Sequence, residues 1–305
     1  MRTAITGASG LIGAAVAESL EADGHEVVRL VRRPAEGPGE AQWDPTAGTV
    51  DLAALEGVDS AFHVAGAGVG DKRWTASYKR QIRDSRVLGT QTFARALARL
   101  DPLPKVLVSG SAIGYYGDTG DDEVDESSPP GDGFLATVVV AWEASTAPAS
   151  DAGIRVAHTR SGLVVAPHGG AWGRLWPLFR LGVGGRLGGG KQYWSFVSIR
   201  DEVAAIRRML DDATMSGAYN VTAPNPVTNA EMTAAMAEVV HRPAFAHVPS
   251  FVLKSVLGEM SSEVLSSLRV LPTRLTEAGF SFTDPTIEDA LAYAFAERQG
   301  DHEPS

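Results

Sequence analysis

Short apolar runs alternate with segments of helical spacing over the first 160 residues. An apolar strand that leads through a helix to another apolar strand indicates a βαβ unit, with parallel strands and right-handed crossovers. The sequence therefore predicts an α/β protein with a doubly wound parallel sheet. The predicted strands are Thr3–Thr6, His25–Val31, Ala61–Ala65, Lys105–Ser109 and Arg155–Arg160, and the predicted helices are Leu11–Ala22, Leu88–Leu100 and Phe134–Ser150.

The pattern changes after residue 160. The stretch from Gly162 to Gly190 is rich in glycine and aromatic residues, which favours a binding segment over a second sheet. Further on, strands are predicted at Trp194–Ile199 and Ala218–Thr222, a helix over 201–212 opened by a capping box at Ser198, a helix from an Asn229 cap, and a last helix at Glu288–Glu297. We expect one domain from residues 1–162 with about 193–222, and a smaller α/β cap from about 163–192 and 223–305.

Composition narrows the class of protein. The 305 residues are 44% hydrophobic and 21% charged, with a net charge of −10, which is typical of a soluble globular protein and unlike a nucleic-acid binder. No apolar run has the ~18 residues of a membrane span, so we expect no membrane partner. The N-terminus lacks a signal pattern. With no cysteine in the chain, disulfides, thiolate metal sites and a cysteine nucleophile are excluded, and we expect a cytoplasmic location.

Acidic residues concentrate in the stretch Asp118–Glu126, which contains six of them. They lack the spacing and the glycine of a calcium loop, so we interpret this stretch as an exposed loop. The sequence predicts no metal site.

Three glycines follow the first predicted strand and open the first predicted helix. Gly7 permits a tight turn, Gly10 lets the backbone approach a pyrophosphate, and Gly13 lets the helix pack closely on the sheet. The helix N-terminus would add N–H groups and a favourable dipole for phosphates. The sequence predicts a dinucleotide site on a Rossmann-type sheet, with loop contacts from Gly7, Ser9, Gly10, Leu11, Ile12 and Gly13.

The end of the second strand indicates which dinucleotide binds. An acid there would bind the ribose 2′-hydroxyl of NAD, but the chain has Arg32 and Arg33, and guanidinium groups bind a 2′-phosphate. We therefore predict NADP(H); the alternative is that both arginines are solvated loop residues. Small residues after the third strand also suit a cofactor across the sheet edge, with contacts at Ala65, Gly66 and Ser109. His63 is interpreted as a packed core histidine.

Several motifs together resemble an atypical extended short-chain dehydrogenase/reductase of the NAD(P)-dependent epimerase/dehydratase type, in the YfcH-type subgroup with a C-terminal helical extension. The resemblance covers about residues 1–298. The motifs are Thr6–Gly13, His63–Gly68, Ser109–Gly117, Trp142-Glu143, Arg160–Gly162, Pro177–Gly185, Leu187-Gly188, Gly190–Gln192, Thr222–Pro224 and Leu257–Glu259.

The resemblance implies catalysis by a serine or threonine with a Tyr-x-x-x-Lys pair. Ser111 matches the serine and Glu143 matches the acid that follows the pair. The pair's own positions hold Leu135 and Val139, which cannot transfer a proton, and no Tyr-x-x-x-Lys occurs in the chain. Tyr115 or Tyr116 is a possible replacement acid, and stacking or packing is the alternative role for both.

Three other residues have roles to test. Glu143 is a candidate base, and a position on the helix surface or in an ion pair is the alternative. By the same resemblance, Gln81 and Arg86 fall on a helix whose equivalent lines the cofactor in the family, and a solvated arginine is the alternative for Arg86.

Two functions remain open at this stage. The first is an NADP(H)-dependent oxidoreductase or epimerase-like enzyme acting on a small molecule. The second is a non-catalytic NADP(H)-binding sensor or scaffold, which the missing Tyr–Lys pair favours. By analogy with the superfamily, helices near 75–100 and 134–150 would form a homodimer.

Overall fold

Sixteen strands and eleven helices are present in the computed structural model, which describes residues 1–300. The strands are β1 Arg2–Thr6, β2 Glu26–Val31, β3 Glu40–Asp44, β4 Thr49–Val50, β5 Ser60–His63, β6 Val106–Ala112, β7 Glu123–Val124, β8 Arg155–Ser161, β9 Leu163–Val165, β10 Gly185–Leu187, β11 Tyr193–Trp194, β12 Phe196–Ser198, β13 Gly217–Val221, β14 Val227–Thr228, β15 Ala246–Val248 and β16 Arg269–Val270. The helices are α1 Leu11–Ala22, α2 Ala76–Leu97, α3 Phe134–Ala144, α4 Ala147–Asp151, α5 Trp172–Arg180, α6 Ile199–Asp211, α7 Asn229–Val239, α8 Ser250–Leu257, α9 Ser261–Leu265, α10 Thr273–Glu277 and α11 Ile287–Gly300. Short 3-10 helices lie at Ala53–Leu55, Ile113–Tyr116 and Gly258–Met260.

An eight-stranded sheet in the order β13-β8-β6-β5-β1-β2-β3-β4 forms the centre of the molecule. All of its neighbouring strands are parallel except the β3–β4 hairpin. The strand order reverses between β1 and β5, which is the switch point where ligands bind in doubly wound sheets. The structure confirms the predicted α/β class and its parallel sheet.

Helices cover both faces of this sheet. On one face α1 and α6 pack on Ile5, Phe62 and Val108, and on the other α2 and α4 pack on Leu30 and Leu107. The strands are therefore apolar on both sides, as parallel strands buried on both faces must be.

A separate apolar core lies between α5, α7 and α11. Trp172, Trp176 and Phe179 of α5 pack against α7 and α11, around Met236 and Leu291. This core lies in the segment that the sequence assigned to the cap. The last five residues of that predicted range, 301–305, lie outside the described residues.

The predicted helix Phe134–Ser150 was wrong in its extent, because the structure ends α3 at Ala144 and begins α4 at Ala147. Pro148 explains the break: it cannot donate a backbone hydrogen bond, and its ring would clash with the carbonyl of residue 144 in a continuous helix.

Three other helix starts also differ from the predictions. α2 begins at Ala76, well before Leu88, and α6 begins at Ile199, where Ser198 accepts from the Asp201 N–H. The Asp201 carboxylate does not complete a capping box, because it accepts from the N–H groups of Thr283 and Asp284. α7 is capped by Thr228, in a capping box with Glu231, and not by Asn229.

The acidic stretch Asp118–Glu126 is less open than predicted. Its strand β7 pairs with β16, and the half-buried Glu126 carboxylate accepts from the N–H groups of Asn220 and Arg274. Within residues 1–300, no group of three or more His, Asp or Glu side chains has the arrangement of a metal site. In the same range, no helix is both long and apolar enough to cross a membrane.

Candidate functional site

The glycine loop between β1 and α1 is held by backbone-to-backbone contacts that leave no room for side chains. Gly7 has φ +69°, and a Cβ on it would lie 2.9 Å from the Ala65 nitrogen at the end of β5. A Cβ on Gly13 would lie 2.2 Å from the Gly7 carbonyl oxygen. These two glycines therefore let the helix approach the loop, and let the loop approach the neighbouring strand.

Gly10 differs from the other two glycines. It is the N-cap of α1 and has no side chain that could accept from the helix N–H groups. The nearest atom to a Cβ placed there is the Gly7 oxygen at 3.3 Å. Packing within the chain does not demand glycine at this position. A glycine N-cap leaves the first N–H groups of α1 accessible, which is the arrangement that binds phosphate.

Leu11 and Ile12 form the first turn of α1 and are half-buried, while Ser9 is exposed. The segment predicted to belong to the cap reaches this turn, because Cβ atoms on Gly169 and Gly170 would lie 3.5–3.7 Å from the Leu11 side chain. The loop therefore lies where the sheet edge meets the loop that leads into α5.

The loop after β5 is fixed by α2. The Arg86 guanidinium donates to the Ala67 carbonyl at 2.9 Å, packs beside Gly66 and lies 5.1 Å from the centre of the Trp142 ring. Burial lowers the pKa of Arg86 to about 10, so this arginine remains cationic at neutral pH. Arg86 thus holds the loop that contains the candidate residue Gly66, and it is not a solvated arginine.

Gln81 lies elsewhere on α2. It is exposed, and five residues from Arg86 correspond to about 140° around a helix, so the two side chains face different directions. The structure therefore does not bring Gln81 and Arg86 to one surface. Ser109 and His63 are fully buried, on paired positions of β6 and β5.

His63 is the packed core histidine that the sequence predicted. Its Nδ1 lies 2.7 Å from the Thr6 hydroxyl, and its ring packs between Trp43 and Phe93. Burial lowers its pKa to about 3, so the imidazole is neutral.

The two arginines after β2 have different surroundings. Arg33 forms a bidentate pair with Glu40 at 2.6 and 2.8 Å, and Glu36 lies 3.4 Å away. Arg32 is exposed and makes no ion pair or hydrogen bond with the described residues. Of the two, Arg32 is the guanidinium that an added anion would meet without competition from a carboxylate.

Ser111 takes part in a buried polar network at the carboxyl end of β6. Its hydroxyl donates to Glu143 Oε1 at 2.6 Å, and Arg160 donates to both oxygens of Glu143 at 2.8 and 2.9 Å. Burial alone would raise the pKa of Glu143, but the hydrogen bonds from Arg160 and Ser111 outweigh it, and the pKa lies below its ordinary value. Glu143 is therefore a carboxylate in an ion pair, which makes it a weak base.

The two neighbouring tyrosines have unlike environments. The Tyr116 hydroxyl donates to Asn220 Oδ1 at 2.8 Å and accepts from Arg160 at 3.0 Å. Burial raises the pKa of Tyr116 to about 12, which makes it a poor acid. Tyr115 is half-buried, and the Arg160 guanidinium stacks 3.4 Å from its ring centre. Its hydroxyl has no hydrogen bond among the described residues, so Tyr115 is the tyrosine with a free donor.

The two positions at which the resemblance implies a Tyr–Lys pair hold apolar side chains. Leu135 packs against the cluster of Trp74, Tyr78 and Ile82, while Val139 is buried in α3. No other side chain of α3 supplies a phenol or an amine there. These positions therefore carry hydrocarbon, on a helix that packs against the 3-10 helix Ile113–Tyr116.

Sequence reasoning missed several residues of this site. Asn220 and Arg160 complete the network, and Trp74 packs against Leu135. The three come from separate elements, and only Arg160 lies in a motif that the sequence singled out. Glu202 of α6 was also missed: it is fully buried, accepts from the Ser161 hydroxyl at 2.6 Å, and has a second oxygen without a hydrogen bond among the described residues. A glutamate that follows Asp201 in the first turn of an amphipathic helix gives no signal of such burial.

A parallel sheet with helices on both faces, and a glycine loop at its switch point, define a Rossmann-type protein. The model of the NAD-dependent epimerase/dehydratase family matches residues 3–222, and that of a domain of unknown function, DUF1731, matches residues 248–294. The chain therefore belongs to the NAD-dependent epimerase/dehydratase family, and the resemblance found in the sequence is confirmed.

Individual relatives cover almost the whole chain. The epimerase family protein Mb2239 of Mycobacterium bovis is 42% identical over 292 residues, which are 95% of this chain and 96% of that protein. The crystal structure of the human epimerase family protein SDR39U1 (isoform 2) with NADPH has a TM-score of 0.90 at 32% identity, over 97% of this chain and 99% of that chain. A nucleoside-diphosphate sugar epimerase of Corynebacterium glutamicum has a TM-score of 0.79 at 36% identity, over 98% of this chain and 61% of that chain.

Proposed function

We propose that the protein is an NADP(H)-dependent oxidoreductase or epimerase-like enzyme that acts on a small molecule between the sheet edge and the cap, in the cytoplasm. The observation that carries this proposal is the glycine loop, whose Gly10 is unexplained by packing, at the same sheet edge as the Ser111 network. The human relative solved with NADPH supports the choice of cofactor.

The residues of the loop fit a dinucleotide. Gly10 and the first N–H groups of α1 would bind the pyrophosphate, with Ser9, Leu11 and Ile12 beside it, and Ala65, Gly66 and Ser109 would line the strand ends under the rest of the cofactor. Arg32 would bind the 2′-phosphate, while Arg33, paired with Glu40, would hold the β2 turn in place.

Bound NADP(H) would exchange a hydride with the substrate. The proton would then have to move through groups of this chain other than a Tyr–Lys pair. Because Glu143 is a carboxylate, Ser111 must donate to it, which leaves the Ser111 oxygen as an acceptor toward a substrate hydroxyl. Tyr115 has the unpaired phenol, so we propose it as the proton donor, with Tyr116 in a structural role.

A screen of carbonyl compounds and alcohols tests the enzymatic proposal, with NADPH oxidation or NADP⁺ reduction as the readout. We expect turnover of at least one compound class that falls at least about 100-fold in Tyr115→Phe. Tyr116→Phe is the matched control and should keep its turnover rate. Equal turnover in Tyr115→Phe and the wild-type protein would remove Tyr115 from the mechanism.

A second function, a non-catalytic NADP(H)-binding sensor or scaffold, is favoured by one observation. Leu135 and Val139 are packed among apolar side chains, so no small rearrangement restores a proton-transfer pair. NADPH binding without turnover of any compound in the screen would support this second function.

Gln81 stays a candidate only for contacts on the outer face of α2, and a homodimer through α2 and α3 remains a proposal by analogy.

A further inference from the structure

Large apolar side chains are exposed on one part of the cap. Phe245 is 91% exposed, Leu181 75%, Phe251 73% and Val183 57%. Exposed apolar residues scattered singly are ordinary, but a cluster of this kind marks an interaction surface.

The fold brings Leu181 and Val183, which precede β10, close to Phe245, which precedes β15. β10 and β15 are paired in parallel, with Gly185 opposite Ala246, so Val183 and Phe245 precede the two strands at the same end. The Val183 N–H donates to the Leu178 carbonyl and closes the turn that carries Leu181. We call Leu178, Leu181, Val183 and Phe245 the cap patch; Phe251 of α8 is exposed beyond the other end of β15.

The cap does not expose these residues for lack of a core. Trp172, Trp176 and Phe179 form the buried side of α5, and Leu178 and Leu181 lie on its opposite side. The patch is therefore additional to the core of the cap, and it leaves apolar area in water that a partner would cover.

The two segments that form the patch have a charge opposite to that of the whole chain. The segments 171–194 and 241–257 contain no Asp or Glu, although the chain has a net charge of −10. Their six cations are Arg174, Arg180, Arg186, Lys191, Arg242 and Lys254. Arg174 pairs with Asp71, whereas the other five are exposed and make no ion pair within the described residues.

We propose that the cap patch docks on an anionic lipid surface. Exposed Phe, Leu and Val side chains flanked by cations bind the boundary between headgroups and acyl chains, where apolar burial and headgroup attraction add. The acidic remainder of the molecule would be repelled by the same surface, so only this face would approach it. A surface contact needs no spanning helix, and this proposal departs from the sequence expectation that no membrane is a partner.

A second copy of the chain fits this surface less well. In a two-fold pairing, the same patch lies on both sides, so the five unpaired cations would face one another. A lipid surface supplies negative charge to all of them at once.

Vesicle flotation with the full-length protein tests the proposal. We expect binding to vesicles of phosphatidylcholine that contain phosphatidylglycerol, about tenfold or more above pure phosphatidylcholine, and a loss of binding at high salt. The variant Leu181→Ser/Val183→Ser/Phe245→Ser should lose vesicle binding. Arg180→Gln/Arg186→Gln/Arg242→Gln should weaken it about tenfold.

A matched control uses apolar residues exposed elsewhere. Leu88, Leu103 and Val140 are 42, 41 and 42% exposed, outside the cap, and their replacement by serine should leave vesicle binding unchanged. Thermal melts and NADPH titration of each variant establish that it is folded.

Three outcomes of the vesicle assay would overturn the proposal. They are no binding of the wild-type protein to anionic vesicles, equal binding by the patch variant, or equal loss in the control variant. If light scattering shows a dimer that the patch variant converts to a monomer, the patch binds a second copy and the lipid proposal is wrong.

Discussion

The glycine loop and the Ser111 network lie at the same edge of the sheet but are built in opposite ways. The loop is made of backbone: three glycines within seven residues, two of them excluding a Cβ by contacts of 2.9 and 2.2 Å. The network is made of side chains from β6, the 3-10 helix Ile113–Tyr116, α3, β8 and β13. It is held by the Arg160–Glu143 ion pair and by three further hydrogen bonds, Ser111 to Glu143, Arg160 to Tyr116 and Tyr116 to Asn220. The glycine loop therefore depends on the spacing of residues close together in the sequence, whereas the network depends on residues that the fold brings together from distant segments.

The largest effect, a complete loss of NADPH binding, should come from adding one carbon atom to the loop. Gly13→Ala puts a Cβ against the Gly7 carbonyl, so we expect a loss of about 3 kcal/mol in the free energy of unfolding and no measurable NADPH binding. Gly10→Ala meets only one atom, at 3.3 Å, and should keep its stability within about 1 kcal/mol while binding NADPH at least about tenfold more weakly. Denaturant unfolding and calorimetry measure both quantities, and wild-type affinity in Gly10→Ala would contradict this division.

Next in size is the ion pair of the network. Arg160→Met leaves the buried Glu143 carboxylate without its cation, which should cost about 3–5 kcal/mol in the free energy of unfolding. The double variant Arg160→Met/Glu143→Leu removes both charges and should recover part of that loss. NADPH affinity should change less than twofold in either folded variant; a large change would mean that the loop and the network are not independent.

Glu202 should make stability depend on pH. Burial raises its pKa to about 8 from an ordinary 4.5. Between these two pH values the folded state therefore holds a proton that the unfolded state has lost. This contribution is intact below pH 4.5 and is lost as the pH rises through 8. Glu202→Gln should therefore gain up to about 4 kcal/mol over the wild-type protein between pH 5 and 9. Glu18→Gln, an exposed acid on α1, is the control, and parallel pH profiles for Glu202→Gln and wild type would contradict the prediction.

The smallest effect separates the two tyrosines. Tyr116→Phe removes two hydrogen bonds and leaves Asn220 short of a donor, for a loss of about 1–3 kcal/mol in the free energy of unfolding. Tyr115→Phe removes a hydroxyl that has no hydrogen-bond partner within residues 1–300, and it should change stability by less than about 0.5 kcal/mol. Thermal melts distinguish the two variants, and an equal loss in both would mean that the Tyr115 hydroxyl is also structural.

The sequence predicted the parallel sheet and the glycine loop because both depend on neighbours along the chain. The break before Pro148 is also local, because a proline inside a helix lacks an N–H and clashes with the carbonyl four residues earlier. The helical periodicity of Phe134–Ser150 led to a single helix being predicted there instead. The network could not be predicted in this way. Tyr116 and Asn220 are 104 residues apart, and nothing in the spacing of either residue indicates that β6 and β13 flank β8.

The assignment of NADP(H) to this site is tested by calorimetric titration with NADPH and NADH, in the wild-type protein, Arg32→Ala and Arg33→Ala. We predict that NADPH binds at least about tenfold more tightly than NADH, and that Arg32→Ala abolishes this preference, since a charged hydrogen bond contributes about 1.5–3 kcal/mol. Arg33→Ala, whose side chain is already paired with Glu40, should keep most of the preference. No binding of either nucleotide, or a preference for NADH, would contradict the account.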